Sequence, residues 1–450
     1  MNGVWLNVSG GQLCLDGFIN LDISQHDGRK LKLHRLSKYL DHSVDGIYCN
    51  HFIDNLTKTN TLIFLRECRR LLKFGKVLRL IVDEGKFKED DLIYTAQMSG
   101  LEPIKTCEHC RSDIKEFDGL ESNDFPELIL EFILPDRSMC KKPLVSVLIP
   151  TFRATWFKQA LHAAQSQTYA NIEIIISDDS PNDDIKQIVR SLSEGDERIN
   201  YIRNNPALGP VGNHLQLFSR AKGEFIKYLN DDDLLVSTCI EKMLQAFREH
   251  HSVTLVTSHR KCIDEKGLEL LETARTKALS KRDCELEGVS YANTLIQLQR
   301  NLIGEPTTVM FRKSDLVWVR PNLVAFGGVV GMGSGDVAMW LNLLGRGNAF
   351  YIAESLSYFR IHEGQLQNEP WLRKAAFNTW MGYIKNGKNL GLVQKRIVWN
   401  IKRRYASDGR WGSLQMVTTE AFYMLMKRYY RLTVRLILNS IIKFCKNRKP

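Results

Sequence analysis

The chain has 450 residues, 44% hydrophobic and 25% charged, with a formal net charge of +11. That composition is globular and excludes a low-complexity or extended disordered chain, and the length predicts two or three domains. No apolar run approaches the ~20 residues of a membrane-spanning helix. The first residues lack the basic-then-apolar pattern of a signal peptide. Ten cysteines without regular spacing predict reduced thiols in a cytoplasmic protein.

The first 137 residues alternate strand and helix signals. Leu6-Asn7-Val8 runs into the turn Ser9-Gly10-Gly11, and Ile19-Asn20-Leu21-Asp22-Ile23 is a second strand that ends near an acid. Val44–His51 reads as a third strand, Phe64–Lys73 as a helix, and Val77–Val82 as a further strand. Cys107 and Cys110 are the one close cysteine pair, and a structural zinc site of this kind needs a second pair. Pro135, Lys141, Lys142 and Pro143 mark a boundary near residues 135–143.

Beyond the boundary the alternation becomes regular. Strands are predicted over Val145–Ile149, Ile172–Ser177, Ile199–Ile202, Phe225–Leu229 and Thr254–Thr257. Helices are predicted between them, over Trp156–Ser166, Ile185–Leu192, Val211–Ala221 and Cys239–His250. This order predicts a parallel sheet covered on both faces, with functional groups in the loops after the strands. Those loops hold Pro150, Thr151 and Phe152, then Asp178-Asp179, then a turn containing Gly209 and Asn213. The fourth strand ends in Asn230-Asp231-Asp232-Asp233. Three adjacent carboxylates repel one another unless something neutralises them. A hard divalent cation bridging them to a substrate phosphate does so; a solvated turn or a helix N-cap is the alternative. Neither a Walker A loop nor a GxGxxG follows the first strand, which argues against an ATPase or a dinucleotide dehydrogenase.

From Lys395 onward the chain carries fourteen Lys and Arg against two acids, Asp408 and Glu420. The net charge of the molecule therefore resides here. Interleaved aromatics, as in Phe422–Arg431, predict basic helices with apolar faces. Such helices suit an anionic membrane surface, or a subdomain packed on the core; a nucleic-acid footprint is the third reading, and no nucleic-acid partner is predicted.

The ordered motifs from Val145 to His362 resemble an inverting family-2 glycosyltransferase with the GT-A fold. Val145–Phe152 is similar to the first strand and its nucleotide-contacting end, and Ile174–Ser180 to the segment whose carboxylate binds base or ribose. That likeness favours Asp178, with Asp179 its neighbour. Asn230–Asp233 resembles the metal motif with Asn in place of the first Asp. It implies Mg²⁺ or Mn²⁺ on Asp232, with Asp233 or Asp231 assisting. Gly304–Arg312 resembles an acceptor-side strand, and Gly335–Leu341 the helix start that carries the catalytic base, Asp336. Tyr358–His362 resembles the segment whose His362 meets metal or diphosphate. The resemblance implies a nucleotide-sugar donor, UDP-linked by default, and transfer with inversion to a glycan, lipid-linked or protein acceptor in cell-surface glycan synthesis.

The N-terminal order resembles a class I S-adenosylmethionine-dependent methyltransferase, shortened between Asp22 and Val44. Gly10, Gly11 and Asp22 are its candidate cofactor residues, and the departures imply a degenerate domain. The expected architecture is thus α/β throughout. A small Rossmann-like methyltransferase-type domain (1–137) precedes a GT-A nucleotide-sugar-binding domain (143–365) and a basic helical region (366–450). The placement expected is cytoplasmic, peripheral at the inner membrane face if the tail binds lipid. A bifunctional glycosyl- and methyltransferase and a non-catalytic scaffold are the competing functions.

Overall fold

The computed structural model describes residues 3–9, 18–22, 36, 39–83, 86–104, 127–135, 139, 141–272, 276–365, 368–390 and 392. Gly10, Gly11, Cys107, Cys110 and the basic tail from 395 lie outside the described residues, as does the side chain of Asp22.

The first unit contains β1 (Trp5–Ser9), β2 (Ile19–Asp22), β3 (Val44–Asn50), α1 (Lys58–Leu71), β4 (Leu72–Asp83), α2 (Glu89–Met98), β5 (Glu102–Pro103) and β6 (Glu127–Ile133). Its sheet order is β2-β1-β3-β4-β6-β5. The first four strands are parallel and the last two pairings antiparallel. Helix α1 starts earlier than its apolar pattern predicts, because Thr57 caps it by accepting a bond from Asn60 N. The polar turn that follows has no apolar periodicity to betray it.

The second unit runs β7 (Val145–Thr151), α3 (Ala154–Gln165), β8 (Ile172–Asp178), α4 (Asp184–Leu192), β9 (Ile199–Arg203), α5 (Gly209–Arg220) and β10 (Phe225–Tyr228). It continues through β11 (Leu234–Leu235), α6 (Cys239–Glu249), β12 (Val253–Ile263), β13 (Cys284–Leu286), α7 (Gly288–Leu298) and β14 (Val309–Arg312). The hairpin β15 (Ala325–Phe326) and β16 (Val329–Val330) precedes α8 (Gly335–Arg346), β17 (Asn348–Arg360) and α9 (Pro370–Asn389). The sheet order is β11-β17-β12-β14-β10-β7-β8-β9, with β13 beside β17.

Successive residues of β7 face opposite layers, as the two-residue strand period requires. Val145, Val147 and Ile149 pack with α3, α4 and α6, whereas Leu148 joins α5, α7, α8 and α9 on the other face. Both faces are thus buried, which explains a strand with no polar alternation. Each fully buried aliphatic side chain contributes about 1.5–3 kcal/mol. The sheet departs from the all-parallel expectation at β14, which is antiparallel to both β10 and β12. The chain reaches β14 through the 3₁₀ turn Pro306–Thr308. It therefore enters that strand from the end where β10 delivers its aspartates.

The two units share a seam. Leu62 of α1 and Met98 of α2 belong to the same apolar cluster as α8. Arg346, at the end of α8 and 1% exposed, bonds to Gln97 O and Glu102 and lies 3.4 Å from Asp315 Oδ1. Its guanidinium sits 5.1 Å from the Trp318 ring centre. Among the described residues no helix is long and apolar enough to cross a membrane, and the five described cysteines are free thiols.

At the start of α7 a Cβ on Gly288 would overlap the Leu344 and Gly347 carbonyl oxygens. Backbone cannot swing aside as a flexible side chain can. Gly288→Ala is therefore expected to lower stability by about 1–3 kcal/mol, read as a lower urea midpoint with an unchanged slope.

Candidate active site

The site is assembled where β7, β8 and β10 end. Of the three consecutive aspartates, two turn inward. Asp231 Oδ2 accepts from Phe152 N at 2.8 Å, Arg153 N at 3.0 Å and Thr151 Oγ1 at 3.1 Å. It thereby closes the loop after β7. Burial and the neighbouring Asp232 carboxylate push its pKa up, against those three donors.

Asp233 is fully buried. Its Oδ2 accepts from Thr307 Oγ1 at 2.7 Å and Asn230 Nδ2 at 3.1 Å, and its Oδ1 from Arg360 N at 3.0 Å. Burial and Asp232 push its pKa well up. Both carboxylate oxygens accept bonds inside the fold, an arrangement that differs from the open metal ligand expected at Asp233. The polar side chain at Asn230, read as a departure from the motif, supplies one of its donors.

Asp232 faces outward. Its Oδ2 lies 3.0 Å from His362 Nε2. The His362 ring packs on Trp156 with centres 4.5 Å apart. Arg360, buried beneath them, donates from Nε to Asp232 O at 2.9 Å and from Nη2 to Gln159 Oε1 at 2.8 Å. Burial lowers its pKa, opposed by Asp232 and Asp233. Among the described residues no group of three or more His, Cys, Asp or Glu is arranged to hold a metal ion. Asp232 and His362 are the two such groups that lie side by side at the turn. That fits a hard cation completing its shell with water and diphosphate oxygens, as Mg²⁺ commonly does.

The pair after β8 also divides its work. Asp178 is fully buried and accepts from Ser180 N at 2.7 Å, Tyr201 Oη at 2.6 Å and Arg203 Nη1 at 2.7 Å. Its oxygens are committed inside the fold. Asp179 Oδ1 accepts from Asn204 Nδ2 and Leu208 N, which leaves Oδ2 uncommitted. The neighbour, and not the residue first favoured, has an oxygen to offer a ligand. Asn213 donates to Ser177 O at 3.0 Å, and its buried Oδ1 has no hydrogen-bond partner among the described residues. Pro150 is half-buried in β7 and Phe152 is 54% exposed.

Asp336 lies in the first turn of α8, where a carboxylate suits the positive end of the helix dipole. Its Oδ1 accepts from Val337 N and its Oδ2 from Asn301 Nδ2, both at 2.8 Å. Burial, with the Glu305 charge adding to it, pushes its pKa up to about 6. Glu305 lies 2.5 Å from Arg260 Nε. The segment 301–308 thus touches Asp336 through Asn301 and the aspartate turn through Thr307. Arg203, Tyr201, Trp156, Asn301, Thr307 and Arg360 are site-supporting residues that the sequence reading missed. Thr307 and Arg360 stood inside quoted motifs without being singled out.

The family description "Glycosyl transferase family 2" matches residues 146–316. The GalNAc(5)-diNAcBac-PP-undecaprenol beta-1,3-glucosyltransferase of Campylobacter jejuni is 31% identical over 252 residues, 55% of this chain and 74% of that protein. The chain belongs to glycosyltransferase family 2. This family-2 enzyme is also 27% identical over 246 residues to TuaG of Bacillus subtilis, named for teichuronic acid biosynthesis, covering 54% of the chain and 88% of TuaG. Among solved structures, S. aureus TarS 1–349 in complex with UDP-GlcNAc superposes with a TM-score of 0.44 at 16% identity, over 59% of this glycosyltransferase and 73% of that 1–349 chain.

Removing the cation beside a buried carboxylate leaves that charge uncompensated. Arg203→Met is therefore expected to destabilise the enzyme by about 3–5 kcal/mol through Asp178, measured by chemical denaturation at pH 7. An unchanged midpoint would mean that Asp178 does not depend on Arg203.

Proposed function

We propose that this glycosyltransferase moves a sugar from a nucleotide-sugar donor to a lipid-linked glycan in cell-surface glycan synthesis, with inversion and with metal assistance. The reading rests on one observation above all: a half-buried carboxylate at a helix start, Asp336, bonded to Val337 N and Asn301 Nδ2, with its pKa pushed up to about 6. A base poised near neutrality and joined to the aspartate turn through a common segment is what direct displacement needs. The lipid-linked acceptor is supported by the Campylobacter relative, whose name specifies a PP-undecaprenol-borne glycan, and the cell-surface setting by TuaG.

In this reading Asp179 Oδ2 and Asn213 Oδ1 meet the nucleoside, and Pro150, Thr151 and Phe152 form its edge. Asp232 and His362 would hold Mg²⁺ or Mn²⁺, which would supply positive charge opposite the departing diphosphate. Asp231 and Asp233 position Asp232 without touching the donor. Glu305 shapes the acceptor side and raises Asp336. The acceptor hydroxyl oxygen attacks the anomeric carbon while Asp336 takes its proton. The bond to the diphosphate oxygen breaks, and the nucleoside diphosphate leaves with the electron pair. Attack opposite the leaving group inverts the configuration. UDP-sugars are the first donors to test.

The N-terminal unit is read as a shortened, degenerate methyltransferase-type domain with a structural or docking role. Its row of parallel strands closed by antiparallel β6 and β5 supports that type. The basic tail is read as the membrane-facing element.

The test is transfer from a panel of nucleotide sugars, with Mn²⁺, by wild type and Asp336→Asn across pH 5–9 (a range set about the shifted pKa). Wild-type kcat/KM is expected to rise with pH through about 6 as Asp336 loses its proton. Asp336→Asn is expected to lose about 10²–10⁴ in rate. The same variant is expected to gain stability. A raised carboxyl pKa penalises the fold as pH climbs from 3.8 towards 6, and the penalty is fully present above it. Removing the charge then returns about 1–3 kcal/mol at pH 8. Full activity in Asp336→Asn would remove the base assignment.

A further inference from the structure

A cavity of about 480 Å³ opens in the seam between the two units, distant in topology from both sets of strand ends that carry the motifs. Its floor is the start of β12, α7 and β17, the end of the sheet opposite to the aspartate turn. Its other wall is α1, where Arg66, Arg69 and Arg70 project from one face at helical spacing. The volume falls within the range of small-molecule sites, about 300–1,000 Å³.

The charges in this cavity do not balance. Arg70 is matched by Glu67 at 2.9 Å and Asp41 at 2.7 Å. Arg346 is directed to Glu102 and Asp315. Glu287 is committed to the start of α7, accepting from Val289 N at 3.1 Å and Ser290 N at 2.7 Å. Arg66 has no such match. It is 9% exposed, donates from Nη1 to Leu390 O at 2.9 Å, and its Nε and Nη2 are buried without a hydrogen-bond partner among the described residues. Burial and the nearby Arg69 push its pKa down to about 9, opposed only by Glu287. A buried guanidinium with two unpartnered nitrogens is strongly unfavourable until an anion meets it. Phe74 lines the same cavity, stacked on His42 with centres 4.4 Å apart and set edge-on to His251 at 5.9 Å.

We propose that this seam is a binding site for a small phosphate-bearing anion, held by the open edge of Arg66 and flanked by Arg69 and the His42–Phe74–His251 wall. Guanidinium and phosphate match in geometry as well as charge. Because both units line the site, an occupant stabilises their docking by mass action. The site is separate from the donor cleft and does not rest on the reaction assigned to it.

The test is calorimetric titration of the full chain with inorganic pyrophosphate and with UDP, in EDTA, using Asp232→Ala to weaken the donor cleft. Saturable binding is expected, about tenfold to a hundredfold weaker in an added Arg66→Gln substitution and tighter in Glu287→Gln, which removes an opposing charge. Circular dichroism checks that each variant is folded, and the opposite sign of the two variants keeps the test decisive should Arg66→Gln unfold. Tighter binding of UDP than of pyrophosphate assigns a nucleotide to the aromatic wall; the reverse assigns a free phosphate species, and both support the site. No saturable binding of either probe, or equal binding with Arg66→Gln, overturns it.

Discussion

The site depends on the inward bonding of two carboxylates that flank a third. Asp231 is drawn under the loop after β7 by two backbone N–H groups and a hydroxyl. Asp233 is drawn under β17 and the segment before β14 by another backbone N–H, a hydroxyl and the Asn230 amide. With both neighbours fixed, Asp232 has one direction left, outward to His362. A buried carboxylate is unfavourable unless bonded on every side, so the turn holds only while three separate strands hold their register. The same bonds place Thr151 and Phe152 against the turn and tie segment 301–308 to it.

The rest of the fold serves that arrangement. Strict face alternation along β7 and β8 locks the central strands between two helical layers, and antiparallel β14 brings Thr307 to the end of β10. Lys227 is buried in β10 and donates to Thr307 O. Its charge lies among those facing Asp233. The cation and anion are desolvated together, and each moderates the penalty on the other. On the opposite side, Arg346 carries the connection to the first unit. The site is therefore built on strand ends whose positions are fixed by packing on both faces.

Much of this was legible in the sequence, and the limits have physical causes. The apolar strands of the second unit and the aspartate turn stand out because strand burial on two faces leaves uninterrupted aliphatic runs. The resemblance singled out Asp232, but the bonds that turn its neighbours inward were not legible, because they come from Phe152, Thr307 and Arg360, residues far away along the chain. Asp178 was favoured over Asp179 for the same reason: its commitment to Arg203 and Tyr201 comes from β9, and no local pattern announces a cross-strand ion pair. The direction of β14 was hidden too, since strand propensity carries no sense of direction. His362 and Asp336 were singled out from motif order alone. The contacts that orient them, Asp232 and Trp156 on His362 and Asn301 on Asp336, follow only from the fold.

The central claim is a division of labour among Asp231, Asp232 and Asp233. The most direct measurement pairs Mn²⁺-dependent nucleotide-sugar binding with urea stability for Asp232→Ala and Asp233→Ala. Asp232→Ala is expected to abolish metal-dependent binding with stability kept. Asp233→Ala is expected to lose several kcal/mol, about 1–3 for each buried donor left unpaired. A stable Asp233→Ala that has lost metal-dependent binding, beside an Asp232→Ala that binds normally, would contradict the account.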